Sequence, residues 1–431
     1  MLVRDWVWDD LGVTPAELDA VRARLEDFAG EVFVPFARRE QRVNGGLYLR
    51  GLMLDGRRKS MQPMAERLGV DHQRLQQFIT SSTWDYTAVR RRLADRAVEV
   101  VDADAWVVDD TGHVKDGSAS PCVARQYTGT AGKVTNCQIA VSVHAVTDTC
   151  SAPLDWRLFL PESWDDTLAP DPTTAAEIVK RRKQSGIPDD QRHRRKWELV
   201  LDMLDKHVER GHIPPVLVGD AGYGDATEFR LGLTERGVSY VVAVKDTTTA
   251  YPGDAMPVQP VYSGRRRPPK PRYDGDAPTL RNLAEAAGRQ ALRQVTWRQG
   301  TKKSKGNPTA KMRSRFLAMR VRPANRNIPH NMDGSLPDCW LLAEWPTGEP
   351  KPTDYWLSTL PADTPIKTLV RLAKIRWRIE HDYRELKTGL GLTHFEGRNW
   401  TGWHRHVTLV TAAHLFLTEL RLSSPKAAGA A

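Results

Sequence analysis

The 431-residue sequence predicts a mixed α/β fold, a sheet flanked by helices. Residues 136–146 alternate strictly between apolar and polar side chains, which is the two-residue period of a β-strand. This is the second of three successive apolar runs, and an alternation of helical and apolar segments follows up to residue 245. Strands that can pair as neighbours, followed by alternating helices and strands, are typical of a mixed sheet.

The first hundred residues predict helices. Thr14 is a candidate N-cap, Pro15 occupies the first helical position, and apolar residues follow at helical spacing. Residues 64–79 resemble a helix-turn-helix with its turn at Gly69. An ordinary helical hairpin fits that pattern about as well.

Two aspartates follow apolar runs of the predicted sheet. The run "AWVV" leads into Asp109 and Asp110, and the run "VLVG" leads into Asp220. A carboxylate at the end of a strand is rigidly held and exposed, and the glycines around Asp220 would let a ligand approach the backbone. The other interpretation is that each aspartate caps the turn that follows it. His144, on the polar side of the alternating strand, is expected to be a hydrogen-bonded structural histidine.

Residues 376–387, "RWRIEHDYRELK", predict a helix with a polar stripe. At about 100° per residue, four polar side chains share one narrow face: Arg376, Glu380, Tyr383 and Lys387. A salt-bridged surface helix would give the same pattern. With Asp109 and Asp220, however, Glu380 makes a third carboxylate on a rigid element, and such oxygen ligands suit Mg²⁺. Two such ions about 3.5–4 Å apart can clamp the attacking and leaving oxygens of a phosphodiester displacement, and Arg376 and Lys387 would hold DNA phosphates nearby.

Positive charge is concentrated in one segment. Residues 265–326 contain 18 Lys and Arg against three Asp and Glu, a net +15 within an overall +10. The segment is Pro-rich at its start and includes Lys302 and Lys303 in a second polar stretch, so we expect exposed loops. Trp297 and Phe316 lie among these cations and suit stacking on nucleic-acid bases. The alternative is a loop that only keeps the protein in solution.

Composition excludes several classes of protein. No apolar stretch reaches about 18 residues, so no transmembrane helix is predicted, and the acidic start "MLVRDWVWDD" lacks the apolar core of a signal peptide. We therefore expect a cytoplasmic location.

The four cysteines form no CxxC pair and are expected to be reduced, without a zinc site. The glycine-rich stretch "ARQYTGTAGK" is not a P-loop, so ATP use is not indicated, although Arg125 within this predicted loop could contact phosphate.

Longer motifs show a family resemblance. "DDTG" and "GDAGYG" resemble the two aspartate motifs of bacterial DDE transposases with the RNase H-like fold, and residues 376–387 match the end of their Tyr-x2-Arg-x3-Glu-x6-Lys signature. The position of the leading tyrosine holds Ala373, a role for which Tyr383 is the expected substitute. "VARQYTGTAGKVTNCQIAVSVH" and "RWRIEHDYRELKTGLGLTHFEGRNWTGWHRHVTL" resemble the group named after insertion sequence 701. The similarity runs from about residue 48 to residue 420.

The resemblance implies a function. It implies an enzyme that binds the terminal inverted repeats of its own element, cleaves DNA strands with two Mg²⁺ ions (Mn²⁺ substituting) and transfers the freed 3′-OH ends to target DNA. Asp109, Asp220 and Glu380 would be the metal ligands. The DNA-binding residues would be Arg125, Trp297, Lys302, Lys303, Arg376, Tyr383 and Lys387. The spacing to Thr111 favours Asp109 over Asp110. Pairing of two ends implies at least a homodimer on DNA. A domesticated DNA-binding regulator that no longer cuts, and a metal-dependent DNA nuclease, are the alternatives.

The resemblance also implies a division of the chain. Residues 1–100 would be a helical DNA-binding domain, 101–246 and 354–422 the two parts of an RNase H-like catalytic domain, 247–353 a basic β-rich insertion, and 423–431 a disordered tail.

Overall fold

The computed structural model describes residues 14–262, 264, 269–300, 303 and 307–423. By their internal contacts, these residues separate into two compact units. The first unit comprises residues 14–103, 109–203 and 378–423, and the second comprises residues 104–108 and 204–377. The N-terminal helices share a unit with the C-terminal end of the described chain. The predicted division of the chain into domains stays a prediction.

The α-helices of the described residues are α1 (Pro15–Val32), α2 (Arg39–Met53), α3 (Met61–Leu68), α4 (His72–Thr80), α5 (Tyr86–Val101), α6 (Pro172–Ser185), α7 (Lys196–Val208), α8 (Ala221–Gly224), α9 (Thr227–Glu235), α10 (Leu280–Ala287), α11 (Ile366–Lys374), α12 (Trp377–Arg384) and α13 (Trp400–Ser423). A π-helical segment, Glu385–Gly389, continues α12.

The strands are β1 (Ala105–Val114), β2 (Ala124–Thr128), β3 (Lys133–Val146), β4 (Ser151–Leu158), β5 (Leu217–Gly219), β6 (Tyr240–Val244), β7 (Ala250–Pro252), β8 (Arg293–Gln299), β9 (Lys311–Pro323), β10 (Cys339–Glu344) and β11 (Asp354–Ser358).

Local sequence signals set the N-terminal helices. Thr14 and Glu17 form a capping box at the start of α1, in which each side chain accepts from the other residue's backbone N–H. Gly69 ends α3 in the left-handed conformation at φ 66°, which costs glycine little, and Asp71 caps α4. The predicted turn at Gly69 is therefore confirmed.

The core of the first unit forms around α13. This helix is buried along most of its length and packs against α2, α5 and β4. Phe416 meets Phe28 at 5.4 Å between ring centroids, Tyr48 Oη bonds His406 Nδ1 at 2.9 Å, and Trp156 Nε1 donates to Thr411 Oγ1 at 3.0 Å. The strands of this unit lie in the order β2-β3-β1, and β4 pairs with β3. Side chains from both ends of the chain thus share one core.

The sheet of the second unit has the order β1-β5-β6-β11-β10-β9-β7, with β8 beside β9. β1, β5 and β6 are parallel, whereas the later strands pair antiparallel. The parallel strands are buried, as expected of strands covered on both faces. The predicted mixed α/β fold is therefore confirmed.

Two local predictions are wrong. β1 does not end at Asp109 but continues to Val114, because Gly112 lets the strand pass close to Thr128. Arg125 lies not in a loop but in β2, which pairs with β3 in a hairpin. None of the helices in the described part of the chain combines the length and apolarity needed to cross a membrane.

Candidate active site

Strand β1 directs Asp109 and Asp110 to different surroundings. The Asp109 side chain is buried, and its Oδ1 accepts the backbone N–H of Asp110 at 2.7 Å. Asp110 instead bonds Lys196 Nζ on α7, at 2.7 Å. Successive side chains of a strand point to opposite faces, and Asp110 already has a cationic partner. The choice of Asp109 over Asp110 as the metal ligand stays a prediction.

Lys387 lies near the Asp109 carboxylate, in the π-helical segment that follows α12. Its Nζ donates to Thr130 Oγ1 at 2.8 Å and to the Gly112 carbonyl at 3.2 Å. Burial lowers the pKa of Lys387 to about 8, although the charges of Asp109 and Asp110 oppose that shift. The ammonium group therefore ties the C-terminal half of β1 to the segment after the glutamate-bearing helix.

Glu380 is exposed on the first turn of α12. The predicted continuous stripe is wrong, because Arg376 lies in the turn between α11 and α12 and Lys387 lies in the π-helical segment. π-helical segments within α-helices occur frequently at functional sites. Glu380 keeps its predicted accessibility, whereas Arg376 and Lys387 lie outside α12, and their grouping with Glu380 stays a prediction.

Beneath the exposed face of α12 lies a buried set of polar side chains that the sequence did not connect. Asp382 Oδ2 bonds His144 Nδ1 at 2.8 Å, His144 Nε2 bonds Ser142 Oγ at 3.0 Å, and Ser142 Oγ bonds Tyr383 Oη at 2.8 Å. The prediction that His144 is a hydrogen-bonded structural histidine is confirmed. Ser142 and His144 on one side of a strand were the available signal, but alternation alone could not show that Asp382 covers them.

Asp382 is ionised within this set. Burial raises its pKa, but the hydrogen bond from His144 and the charge of His414 outweigh that effect and hold the pKa at about 2. Ser151 Oγ donates to the other carboxylate oxygen at 2.6 Å, so both oxygens of Asp382 are engaged within the fold.

Tyr383 is the other end of this set. It is 7% exposed, its ring packs against His144 and Trp156, and its hydroxyl bonds Ser142. This burial argues against the predicted DNA contact. Burial, and next the negative charge of Asp109, raise the pKa of Tyr383 well above its ordinary value, so the phenol stays neutral.

In the second unit, Asp220 follows β5 as predicted. It is half-buried and caps α8, and its Oδ1 accepts the backbone N–H of Gly222 at 2.9 Å. The capping interpretation is therefore confirmed. The choice of Asp220 as a metal ligand stays a prediction. A Cβ on Gly224 would lie 1.9 Å from the Ala243 carbonyl oxygen, so this glycine allows α8 to pack closely on β6.

The predicted aromatic stacking residues lie in a packed layer of the second unit. Phe316 is fully buried, so its predicted role in base stacking is wrong. Trp297 is half-buried; its ring meets Phe316 at 5.7 Å, and Lys374 Nζ lies 5.6 Å from the ring centroid. Apolar packing and a cation–π contact account for this placement of Trp297, and its DNA contact stays a prediction.

The other predicted DNA-binding side chains have varied surroundings. Arg125 is exposed on β2, Lys303 is exposed, and Arg376 is half-buried in its turn. Lys302 lies outside the described residues. Exposure is compatible with contacts from Arg125 and Lys303 to DNA, which stay predictions.

The chemistry of the predicted ligands fits a hard divalent cation. Asp109, Asp220 and Glu380 offer carboxylate oxygens, the donors that Mg²⁺ prefers. Over the residues that the structure describes, no three His, Cys, Asp or Glu side chains are grouped so that they could hold a metal ion. The convergence of the three predicted ligands on two ions therefore stays a prediction.

Comparison with known proteins identifies the class. Residues 31–304, more than half of the chain, match the family model described as DDE superfamily endonuclease, so the chain belongs to that family. The matched residues include Asp109 and Asp220 and end before Glu380.

The chain is also similar to a protein described as a transposase. Over 199 residues the chain is 27% identical to a probable transposase for insertion sequence element IS701 from Microchaete diplosiphon. The aligned region covers 45% of this chain and 47% of that protein, so the chain spans about half the length of the relative. The resemblance to DDE transposases and to the insertion-sequence-701 group is thereby confirmed.

Proposed function

We propose that this protein is an insertion-sequence transposase that binds terminal inverted repeats and carries out Mg²⁺-dependent DNA cleavage and strand transfer on an RNase H-like fold. The observation that carries the proposal is the match to DDE superfamily endonucleases, a match that includes two of the three proposed acids, Asp109 and Asp220. The similarity to a probable insertion-sequence transposase supports it further.

Asp109, Asp220 and Glu380 would hold two Mg²⁺ ions. When bound, such ions supply an activated water or 3′-OH nucleophile and stabilise the leaving oxygen. Asp109 is suited to the role because strand pairing fixes its backbone. Glu380 is suited because it is exposed on a helix whose opposite face is buried.

Cationic side chains of the chain would bind the DNA backbone. Lys387 is held beside Asp109 and Asp110 and presents a point charge, whereas Arg376 can bind a phosphate through two parallel hydrogen bonds. Helices α3 and α4 are proposed to contact the inverted repeats, and pairing of two ends would bring at least two copies of the chain together on DNA. No role for ATP is proposed.

Loss of one acid tests the chemistry. We expect Glu380→Gln to lower Mg²⁺-dependent cleavage of a DNA duplex carrying the sequence that flanks the gene by about three orders of magnitude, since metal ligation supplies several kcal/mol. Melting temperature and DNA affinity should stay unchanged. Glu396→Gln, on an exposed side chain paired with Arg58, is the matched control and should cleave normally. Full cleavage by Glu380→Gln removes Glu380 from the mechanism.

The convergence of the three acids has a direct test. Fe²⁺ bound in place of Mg²⁺ generates hydroxyl radicals that cut the polypeptide close to the ion. We expect cuts near residues 109, 220 and 380 together, and loss of all three in Asp109→Asn. Cuts near only one of these positions would show that the three acids do not share a site.

A metal-dependent nuclease that does not join strands is the second candidate, because the matched family is described as an endonuclease. The products separate the two. Transfer of labelled element ends into a plasmid supports a transposase, whereas cleavage without joining under the same conditions supports a nuclease.

A further inference from the structure

A chain of three hydrogen bonds connects α12 with β3 inside the first unit. The peptide link between Asp382 and Tyr383 closes it into a ring, which is called the loop below. It runs from Asp382 through His144 and Ser142 to Tyr383, with distances of 2.8, 3.0 and 2.8 Å. Asp382, His144 and Ser142 are each at most 1% exposed. Because Asp382 and Tyr383 are neighbours in sequence, the loop leaves α12 and returns to it through a single strand.

With a neutral His144 beside the Asp382 carboxylate, the donors and acceptors of this loop have one consistent order. The Asp382 carboxylate accepts from Ser151 Oγ–H and from His144, so His144 carries its proton on Nδ1. His144 Nε2 then accepts the Ser142 hydroxyl, and the Ser142 oxygen accepts the Tyr383 hydroxyl. Every link in this order joins one donor to one acceptor, so no polar hydrogen in the loop is left without a partner.

The loop joins the surroundings of two proposed metal ligands. Residues two apart on an α-helix lie about 200° apart around its axis, so the buried Asp382 places Glu380 on the exposed side of α12. At the other end, Tyr383 is a neutral phenol whose ring lies 6.0 Å from Lys387 Nζ and within the electrostatic influence of Asp109. Ser142 and His144 lie on β3, which is hydrogen-bonded to β1, the strand that carries Asp109, so the loop links the orientation of α12 to that strand.

Ordinary core packing does not require this arrangement. Apolar side chains could fill the same space without the cost of burying a carboxylate. A buried polar network with every member satisfied specifies one orientation of the elements it joins. Outer hydrogen bonds of this kind orient metal-binding side chains in many proteins.

We infer that the loop Asp382–His144–Ser142–Tyr383, with the His144 proton on Nδ1, fixes the orientation of the helix that carries Glu380 relative to the strand that carries Asp109. Its members are positioning residues. The inference rests on the proposed function, because it assigns Glu380 and Asp109 to one reaction.

The order of donors can be tested without DNA or metal. Full-length protein labelled with ¹⁵N at histidine, with the His144 signals assigned by their loss in His144→Asn, reports the protonation state of each ring nitrogen. We expect a protonated Nδ1 and an unprotonated Nε2 at neutral pH. A proton on Nε2 would overturn the inference.

The positioning role is tested with Tyr383→Phe, which keeps the ring, and Asp382→Asn, which keeps the side-chain shape. Two quantities are measured on the full chain: the Mn²⁺ concentration for half-saturation, from the paramagnetic resonance of free Mn²⁺, and the rate of DNA cleavage. We expect each variant to raise the first or lower the second about 10- to 100-fold, with DNA affinity unchanged.

Asp155→Asn is the matched control for general destabilisation. Asp155 is a buried carboxylate of the same unit, pairs with Arg90 and Arg157, and lies outside the loop. We expect this variant to lower the melting temperature but to keep wild-type Mn²⁺ binding and cleavage rate. If the wild-type chain cleaves DNA and both loop variants keep its Mn²⁺ binding and cleavage rate, the inference is overturned but the proposed function is not. A wild-type chain that neither binds Mn²⁺ nor cleaves overturns the proposed function and the inference with it.

Discussion

Two opposing effects act on the ammonium group of Lys387. Burial penalises its charge, whereas Asp109 and Asp110 favour it, and burial dominates. The sequence predicted this cation only from its spacing to Glu380. In the structure its ammonium group is held by hydrogen bonds to Thr130 and Gly112. The sequence could suggest the charge, but its hydrogen-bond partners follow from the fold.

Lys387 makes the unfolding free energy of the metal-free protein depend on pH. Its pKa is about 8 in the folded chain and 10.5 as the ordinary value, so the folded state loses its proton first as the pH rises. The contribution of Lys387 to the free energy of unfolding is therefore fully favourable above pH 10.5, and it is lost as the pH falls through about 8. We expect the stability of wild type relative to Lys387→Met to rise between pH 7.5 and 9.5, measured by urea unfolding. A constant difference over that range would show that the pKa is not lowered.

Gly112 is required by a close approach within the first unit. A Cβ at this position would lie 1.9 Å from Thr128 Oγ1 and 2.7 Å from Thr128 Cβ. We expect Gly112→Ala to lower the free energy of unfolding by about 3 kcal/mol through overpacking, measured by chemical denaturation. Gly117→Ala, where a Cβ would meet no atom within 4 Å, is the control and should change stability by less than about 0.5 kcal/mol. Equal stabilities of the two variants would contradict this account.

Individual elements differ in how far the sequence predicts them. The alternation in β3 and the capping signals of α1 are local, and both elements form as predicted. The continuation of β1 past Asp109 depends on the close approach of Gly112 to Thr128 of β2, a residue distant in sequence, so no local signal marks it. The π-helical segment after α12 changes the direction of Lys387, and helical periodicity assumes a regular helix. Local periodicity therefore predicts elements well and the directions of site residues poorly.

Helix α11 of the second unit is anchored by an ion pair whose carboxylate is buried. Lys374 pairs with Glu344 of β10, which is 7% exposed, and its Nζ lies 4.9 Å from the centroid of the Trp356 ring. We expect Lys374→Met to lower the free energy of unfolding by about 3 kcal/mol, because Glu344 is left buried without its cation. The double variant Lys374→Met, Glu344→Gln should recover most of the lost free energy of unfolding. Thermal and chemical denaturation measure both variants.

Arg371 of the same helix provides the matched control. Its pair with Asp104 is 2.8 Å long and partly exposed, so Arg371→Met should cost less than about 1 kcal/mol. A larger loss in Arg371→Met than in Lys374→Met would show that burial of the pair does not determine its contribution.

At the scale of the whole molecule, charge is distributed unevenly along the chain. Residues 265–326 carry a net +15, and the described part of this segment includes the exposed residues Lys311 and Arg313 of β9. Composition alone predicted this segment as a basic one, whereas its strands and buried aromatic residues become visible only in the fold. Contacts from its exposed cations to DNA would release counterions and make binding sensitive to salt.

Neutralising two of these cations tests that contribution. We expect the double variant Lys311→Gln, Arg313→Gln to weaken binding to a duplex and to reduce the slope of log affinity against log salt by up to about 1.8, or about 0.9 for each lost phosphate contact. Fluorescence anisotropy over a salt series gives the slope. The variant Lys351→Gln, Lys367→Gln removes two other exposed cations and should leave the slope unchanged. Identical slopes for both variants would place the DNA contacts elsewhere.

The helix at the centre of the first unit imposes an order on biosynthesis. Tyr48 bonds His406, a partner 358 residues later in the chain. The surfaces of α2, α4 and α5 that α13 covers stay exposed until α13 has been synthesised. A nascent or prematurely terminated chain therefore exposes apolar surface that attracts chaperones and proteases. Nonsense mutations upstream of α13 should yield no stable N-terminal fragment able to occupy DNA and compete with the intact protein.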